Sequence, residues 1–298
     1  MAVVTAAMVK ELRETTGLGM MECKKALEEA GGDSAKAEDL LRVRSGAKAN
    51  KAAGRIAAEG AIGMFVAADG KVAAMVEVNS ETDFVAKNED FLSFVNALAE
   101  LVAKENPSDV AALSAMKLGD ESVEEKRRAL VQKIGENMTI RRFHRTHVSD
   151  PAARIGHYLH GVKIGVLVEV EGAPDVGKDL AMHIAFAKPR YMSRNDVPDD
   201  VISRERDVLA ARATESGKPP EIAAKMVEGG LAKFINEITL LGQPFVKDEK
   251  GQSVERALAA RKGRALSYAF FVVGEGLEKR SDDFAAEVMA QAKSAGQK

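Results

Sequence analysis

Four histidines have a spacing that invites metal chemistry: His144 with His147, and His157 with His160. Paired imidazoles joined by a third ligand would support a metal-dependent hydrolase. On a strand, however, a spacing of three sends His157 and His160 to opposite faces, and no carboxylate stands at a matching spacing. At a turn, His160 would instead be exposed, hydrogen-bonding either to a partner or simply to water. Three short basic clusters, Lys24-Lys25, Lys126-Arg127-Arg128 and Arg141-Arg142, fit solvated faces or contact with an acidic partner such as RNA. Gly274-Glu275-Gly276 is a turn signal before it is a phosphate cradle. No G-x-x-x-x-G-K-[ST], H-E-x-x-H, G-x-S-x-G or paired C-x-x-C occurs.

The elements that must position these residues follow from hydrophobic periodicity. Residues 1–55 read as three short helices. Thr5 caps the first, with Met8, Val9 and Leu12 on one face and Gly17 at its end. Met20, Cys23, Leu27 and Ala30 share a face of the second, which Gly31 and Gly32 stop. Asp33 caps the third, with Ala37, Leu40 and Leu41 turned inward, and an Ala-, Lys- and Gly-rich linker, partly helical, covers residues 45–60. From Glu59 the period drops to two. Strands at 61–66 and 72–78 flank a turn at Ala68-Asp69-Gly70, followed by a loop over 79–90, an apolar helix over 91–103 and a break at Asn106-Pro107. A charged helix over 121–132 and a third strand at 137–140 complete the unit.

The pattern then repeats. Strands at 155–159 and 163–170 flank a turn at His160-Gly161, and a helix follows through Leu180, Met182, His183, Ile184 and Phe186, with a last strand at 267–273. Val76-Glu77-Val78 in the first copy corresponds to Val168-Glu169-Val170 in the second, which reads as an internal duplication. Between the second copy's helix and last strand, helices at 199–213 and 220–238 are joined by Ser216-Gly217-Lys218-Pro219, with Val201, Val208 and Leu209 expected to meet Ile222, Met226 and Val227. So thin a pair needs further cover, another chain being one source. A final helix over 281–295 carries Phe284 and Val288 on one side.

The expected fold is therefore α+β. It has a three-helix module at 1–55, a first core half at 56–143, and a second at 144–190 with 239–276. A helical hairpin is inserted at 191–238, and a helical segment closes the chain at 277–298. Small sheets of about three strands need helices across them.

The duplication makes one loop stand out. Where the second copy turns with Glu171-Gly172-Ala173-Pro174, the first has Asn79-Ser80-Glu81-Thr82-Asp83-Phe84-Val85-Ala86-Lys87. Phe84 either folds back as a staple on the next helix, with Asp83 as cap, or is presented to a partner's pocket.

Composition narrows the classes. Among 298 residues, 43 Lys and Arg balance 45 Asp and Glu, for a net charge of −2, against a large basic field. Trp is absent and aromatics make up 5%, too few for a base-stacking platform, so direct nucleic-acid binding is not expected. Cys23 is the single cysteine, so the fold needs no oxidising compartment. With no apolar run of ~18 residues and no secretion signal, the expectation is a cytoplasmic protein without membrane contact or cofactor.

Several segments together resemble the bacterial elongation factor Ts family. Residues 16–27, Thr16-Gly17-Leu18-Gly19-Met20-Met21-Glu22-Cys23-Lys24-Lys25-Ala26-Leu27, are similar to its N-terminal signature, and Glu81-Thr82-Asp83-Phe84-Val85-Ala86-Lys87 to its second. Lys133-Ile134-Gly135-Glu136-Asn137, His160-Gly161, Ser216-Gly217-Lys218-Pro219 and Gly242-Gln243-Pro244-Phe245-Val246 follow in the family's order, so the resemblance spans the chain. Glu81 stands where some members carry Gln. The resemblance implies no enzyme but an exchange factor that releases GDP and Mg²⁺ from the GTPase elongation factor Tu. It implies that Thr82, Asp83, Phe84 and Val85 dislodge the partner's Mg²⁺, with Phe84 as the wedge. Ile134, Gly135 and His160 would act on the phosphate side. Leu12, Met20, Met21, Lys24 and Lys25 of a UBA-like module, and Phe284 and Val288 of the last helix, would dock on the GTPase. The hairpin would be a dimerisation subdomain, compatible with a homodimer or a 2:2 complex.

Overall fold

Thr5 starts the first helix as expected: its hydroxyl accepts the Met8 N–H at 3.3 Å, and α1 (Ala6–Thr16) stops at Gly17, whose φ of 68° suits glycine. A computed structural model describes residues 4–172 and 174–278, so the helix expected over 281–295, with Phe284 and Val288, lies outside the described residues. In α2 (Met20–Glu29) the buried face is Cys23, Ala26 and Leu27. Met20, expected inward, is 58% exposed; it sits in the first turn, beyond the edge of a core built from Val9, Leu12, Leu18, Cys23, Leu27, Ala37 and Leu41.

The linker expected over 45–60 is helical in its first half, up to Ala52. Asp33 caps α3 (Ser34–Ala52), which runs 19 residues without a break because alanine and lysine hold a helix well. Leu41 packs into the three-helix core while Leu40 stays half-buried. Ala49 and Ala52, one turn apart, enter the core of the first sheet instead. One rigid element thus belongs to both bodies.

Next come β1 (Glu59–Val66), β2 (Val72–Ser80), α4 (Glu89–Glu105), α5 (Val110–Ala115) and a small ribbon of β3 (Lys117–Leu118) with β4 (Glu121–Ser122). A capping box between Ser122 and Glu125 starts α6 (Val123–Ile134), two residues later than expected. β5 (Met138–His147) is ten residues long, not four, since the full length of β2 offers it a partner. The second half follows as β6 (Ala153–His160), β7 (Ile164–Glu171), α7 (Pro174–Ala187), α8 (Asp199–Glu215), α9 (Pro220–Ile238), α10 (Val254–Ala260) and β8 (Arg264–Val272).

The two antiparallel sheets, β1-β2-β5 and β6-β7-β8, repeat each other in detail. Gly63 pairs with Val76 as Gly156 pairs with Val168, and each central strand has an irregularity one step later, at Glu77/Val78 and at Glu169/Val170. On one face of each sheet lie helices: Phe91, Val95 and Leu98 of α4 against Ala61, Val76 and Val78, and Leu180 and Ile184 of α7 against Val166 and Val168. The opposite faces stack on each other through Ile62, Met75, Ile155 and Leu167, giving helix, sheet, sheet, helix.

The paired glycines make this close approach feasible. A Cβ on Gly63 would lie 2.3 Å from the Val95 carbonyl oxygen of α4, and one on Gly156 would lie 2.3 Å from backbone of Gly177 in α7. Neither neighbour is a side chain that can swing away. Gly156→Ala is therefore expected to destabilise the chain by about 1–3 kcal/mol or more, read as a lower urea midpoint; an unchanged midpoint would mean that α7 can lift off the strand freely.

In the inserted hairpin, Leu209 lies against Gly230, and Arg206 reaches Glu228 at 3.9 Å. Val208, Ile222 and Met226, expected to meet each other here, are 41%, 47% and 40% exposed. Val201, Leu209 and Val227, expected there as well, are the half-buried members of the set.

Glu77 binds the two halves together. It is fully buried, and its Oε1 accepts hydrogen bonds from Arg141 Nη1 at 3.0 Å, Asn79 Nδ2 at 3.1 Å and the Gly274 N–H at 2.8 Å. Its Oε2 accepts from Arg142 Nε at 2.6 Å. Arg141-Arg142 is thus neither a solvated face nor a free patch, and Gly274-Glu275-Gly276 is the turn that meets this carboxylate.

Candidate functional site

The loop after β2 is held at its base and bare at its tip. Ser80 donates its hydroxyl proton to the Thr82 carbonyl at 3.0 Å. Thr82 donates twice to Glu136, from its N–H at 3.0 Å and from its hydroxyl at 2.7 Å. Glu81 in turn accepts the Asn137 N–H and pairs with Arg55 at 3.1 Å. Beyond the clamp a short 3₁₀ turn (Val85–Lys87) buries Val85 in the first core, while Phe84 is 79% exposed. Adjacent residues in such a turn point in different directions, so seating Val85 sends Phe84 outward. The staple reading is overturned, and so is Asp83 as helix cap, because Asn88 caps α4 by accepting the Phe91 N–H at 3.1 Å.

Asp83 pairs instead with Lys87 at 2.8 Å. That hydrogen bond, with the added fields of Lys87 and Lys163, holds its carboxyl below the usual aspartate value. Lys87 also places its ammonium 6.0 Å from the Phe84 ring centre. An exposed phenyl ring forgoes roughly 1.5–3 kcal/mol of burial that a partner's pocket could supply.

His160 occupies the same end of the stacked sheets. It closes β6, is exposed, and meets the Tyr158 hydroxyl through Nδ1 at 3.1 Å; Gly161, at φ 57°, turns the chain. Lys163, just after the turn, pairs with Glu59 at 2.5 Å, and Glu59 stands opposite Ser80 in the β1–β2 register. The turn is further tied down by the Ile62 N–H, which donates to the Val162 carbonyl at 2.8 Å. One chain of contacts thus joins the Phe84 loop to the His160 turn.

The remaining expected residues divide. Ile134 is half-buried against the first core, and Gly135, with φ 88°, ends α6 and offers its carbonyl to Arg55 at 3.0 Å. Arg55 links Gly135 to Glu81 at the base of the Phe84 loop. On α2, Met21 is 72% exposed beside Met20, and Lys24 and Lys25 are exposed as well. Leu12, by contrast, is 4% exposed and holds the module together, so it is unavailable for docking.

The metal reading finds no support in the geometry. His157 and His160 lie on one strand three residues apart, as do His144 and His147, and among the described residues no group of three or more His, Cys, Asp or Glu could hold an ion. The fifth histidine, His183, is buried and bonds Gln243 at 3.0 Å. Burial pushes its pKa down, and the Gln243 hydrogen bond only partly offsets this. Basic side chains are largely spent on the fold: Arg127 and Arg128 both bind Glu124, and Arg127 also reaches the Met138 carbonyl at 2.7 Å. A cleft of about 590 Å³ lies between the three-helix module and α6, lined by Thr15, Glu38, Arg42, Glu125 and Gln132, apart from the loop. Sequence reasoning did not select Glu136, Arg55, Lys163 or Glu77, because their partners lie far along the chain and no local signal names them.

A loop braced at its base and carrying an exposed phenyl ring has the form of a surface that a second protein could meet. Residues 81–275 match the family described as Elongation factor TS. Elongation factor Ts of Bordetella petrii is 58% identical over 292 residues, covering 98% of this chain and 99% of the relative. That of Nitrosospira multiformis is 57% identical over 299 residues, covering 100% and 99%, and that of Burkholderia mallei 56% over 298, covering 100% of both. The chain belongs to the elongation factor Ts family. No helix among the described residues is long and apolar enough to cross a membrane.

Proposed function

We propose that this chain is a guanine nucleotide exchange factor that binds elongation factor Tu in the cytoplasm and expels GDP and Mg²⁺ so that GTP can enter. The observation that carries this reading is the 79% exposed Phe84 on a loop braced at its base, in a member of the elongation factor Ts family. An exchange factor makes and breaks no bond. It must bind the nucleotide-free partner better than the GDP-bound one, and GDP must weaken its own binding by the same factor. A thousandfold faster release needs about 4 kcal/mol of differential stabilisation, whereas burying one phenyl ring supplies roughly 1.5–3 kcal/mol. A second contact is required, and the His160 turn is suited to it.

In this reading Phe84 wedges into the GTPase domain while Thr82, Asp83 and Val85 set its direction, and the disturbance costs Mg²⁺ its place. His160 acts near the phosphates, with Ile134 and Gly135 supporting from below. Met20, Met21, Lys24 and Lys25 of a UBA-like module dock on the GTPase, as do Phe284 and Val288. The exposed apolar side chains of the hairpin, at Val208, Ile222 and Met226, support a dimerisation role for residues 191–238.

Stopped-flow release of fluorescent GDP from elongation factor Tu tests the proposal: adding the chain accelerates release, and a rate independent of chain concentration rejects exchange. Removing residues 1–55 is a poor test of docking, since it strips Ala49 and Ala52 from the first core. Met21→Ala is better. It should raise the half-saturating concentration about threefold to tenfold while leaving the maximal release rate alone, as expected for an exposed side chain that contributes binding only.

A further inference from the structure

We propose that Glu136 is a positioning residue for the Phe84 wedge, acting through a reciprocal clamp that stiffens the loop against the load of exchange; this rests on the exchange reading above. Glu136 uses both carboxylate oxygens on Thr82, Oε2 for the N–H and Oε1 for the hydroxyl. Glu81, the residue before Thr82, reaches back to the N–H of Asn137, the residue after Glu136. Two neighbouring carboxylates thus cross between the same two segments. Arg55 ties the crossing from below: it pairs with Glu81, donates to the Gly135 carbonyl, and accepts Asn137 Nδ2 on its own carbonyl at 2.8 Å.

The duplicated half is the control. There Glu171, at the end of β7, pairs with Arg264 of the neighbouring strand at 3.0 Å, and the turn presents no aromatic. The crossed carboxylates stand where a phenyl ring is presented. Phe84 is two residues beyond Thr82, so the clamp fixes the root of the lever. Charge-assisted hydrogen bonds are the strong class for such a task. A ring on a loose root could still enter a pocket, but the loop would yield before the partner did. Loss of the clamp should therefore spare association and reduce the exchange that association produces.

The test measures maximal GDP release rate and half-saturating concentration for elongation factor Tu, using the full chain and its variants, with backbone amide exchange at Thr82 as a second readout. For Glu136→Ala the expected result is a maximal rate lowered about tenfold, a half-saturating concentration within about twofold of the parent, and a Thr82 amide that exchanges far faster. Thr82→Ser keeps both donors and should restore the parent rate; Thr82→Val keeps the amide donor alone and should fall between. If Glu136→Ala folds poorly, Glu136→Gln, which offers one oxygen instead of two, takes its place with an intermediate loss. An unchanged maximal rate in the Glu136 variant, or Thr82→Ser as slow as Thr82→Val, overturns the proposal. Failure of the parent chain to accelerate release rejects the exchange reading instead, and slow Thr82 exchange in Glu136→Ala then separately refutes the clamp.

Discussion

Phe84→Ala should lower the maximal rate at which the chain releases GDP from elongation factor Tu by about 10- to 100-fold, the kinetic equivalent of roughly 1.5–3 kcal/mol of phenyl burial. Half-saturation should change much less. The reason is geometric. Phe84 makes almost no use of its own scaffold, being 79% exposed, so its removal leaves Val85 seated, Asn88 capping α4 and the Glu136 clamp in place. The variant should therefore unfold at the same urea concentration as the parent. A ring whose work is done in the partner's transition between nucleotide states costs rate when removed, while the docking contacts proposed for α2 would continue to hold the complex. Equal losses in rate and in association would instead make Phe84 an ordinary interface anchor.

Glu77→Gln should have the largest effect on stability, a loss of about 3–5 kcal/mol at neutral pH. The substitution removes the buried charge that faces Arg141 and Arg142 and weakens the acceptor for the Gly274 N–H. The same group gives the chain an acid limit. Burial alone pushes the Glu77 carboxyl up, but the Gly274 N–H and the Arg142 and Arg141 guanidiniums more than offset it and hold it below its ordinary value of 4.5. The unfolded chain therefore takes up this proton at a higher pH than the folded chain does. The stabilisation is complete above the ordinary value and is lost as pH falls below it through the folded value. Urea midpoints recorded from pH 7 to pH 3 should fall less steeply at the acid end for Glu77→Gln than for the parent. Parallel curves would mean that other carboxylates, such as Glu22 and Glu124, whose values are also held low, set the acid limit.

These two residues mark where local reading of the chain runs out. Thr5, Gly17, Asp33 and the His160-Gly161 turn could be read directly, because caps and turns are decided by a few neighbouring residues. The duplication was visible in Val76-Glu77-Val78 and Val168-Glu169-Val170, and the matching register irregularities sit within those triplets. Alternation, however, treats Glu77 and Glu169 alike. Glu169 is half-buried and, among the described residues, bonds Ser267, whereas Glu77 is fully buried and held by partners 64, 65 and 197 residues away. Nothing local distinguishes them. Phe84 was ambiguous for a related reason: staple and probe have the same composition, and the choice turns on whether Val85 takes the core position. The partly helical character of residues 45–60 was legible in their Ala and Lys content, but not that α3 runs unbroken to Ala52 and seats Ala49 and Ala52 in the core of the first sheet, which depends on a sheet standing beside it. In the hairpin, periodicity placed Leu209 at the seam correctly but put Val208, Ile222 and Met226 there too, because two helices packed only on each other give it little to discriminate.

Titration calorimetry of the chain into elongation factor Tu, nucleotide-free and then saturated with GDP and Mg²⁺, tests exchange by differential binding most directly. The factor by which GDP weakens association should equal the factor by which the chain weakens GDP binding, measured separately on the same proteins. A ratio near a thousand, lost in large part with Phe84→Ala, is the expected result. Equal affinity for the nucleotide-free and GDP-bound partner would contradict the account, because a chain that binds both states alike can expel nothing.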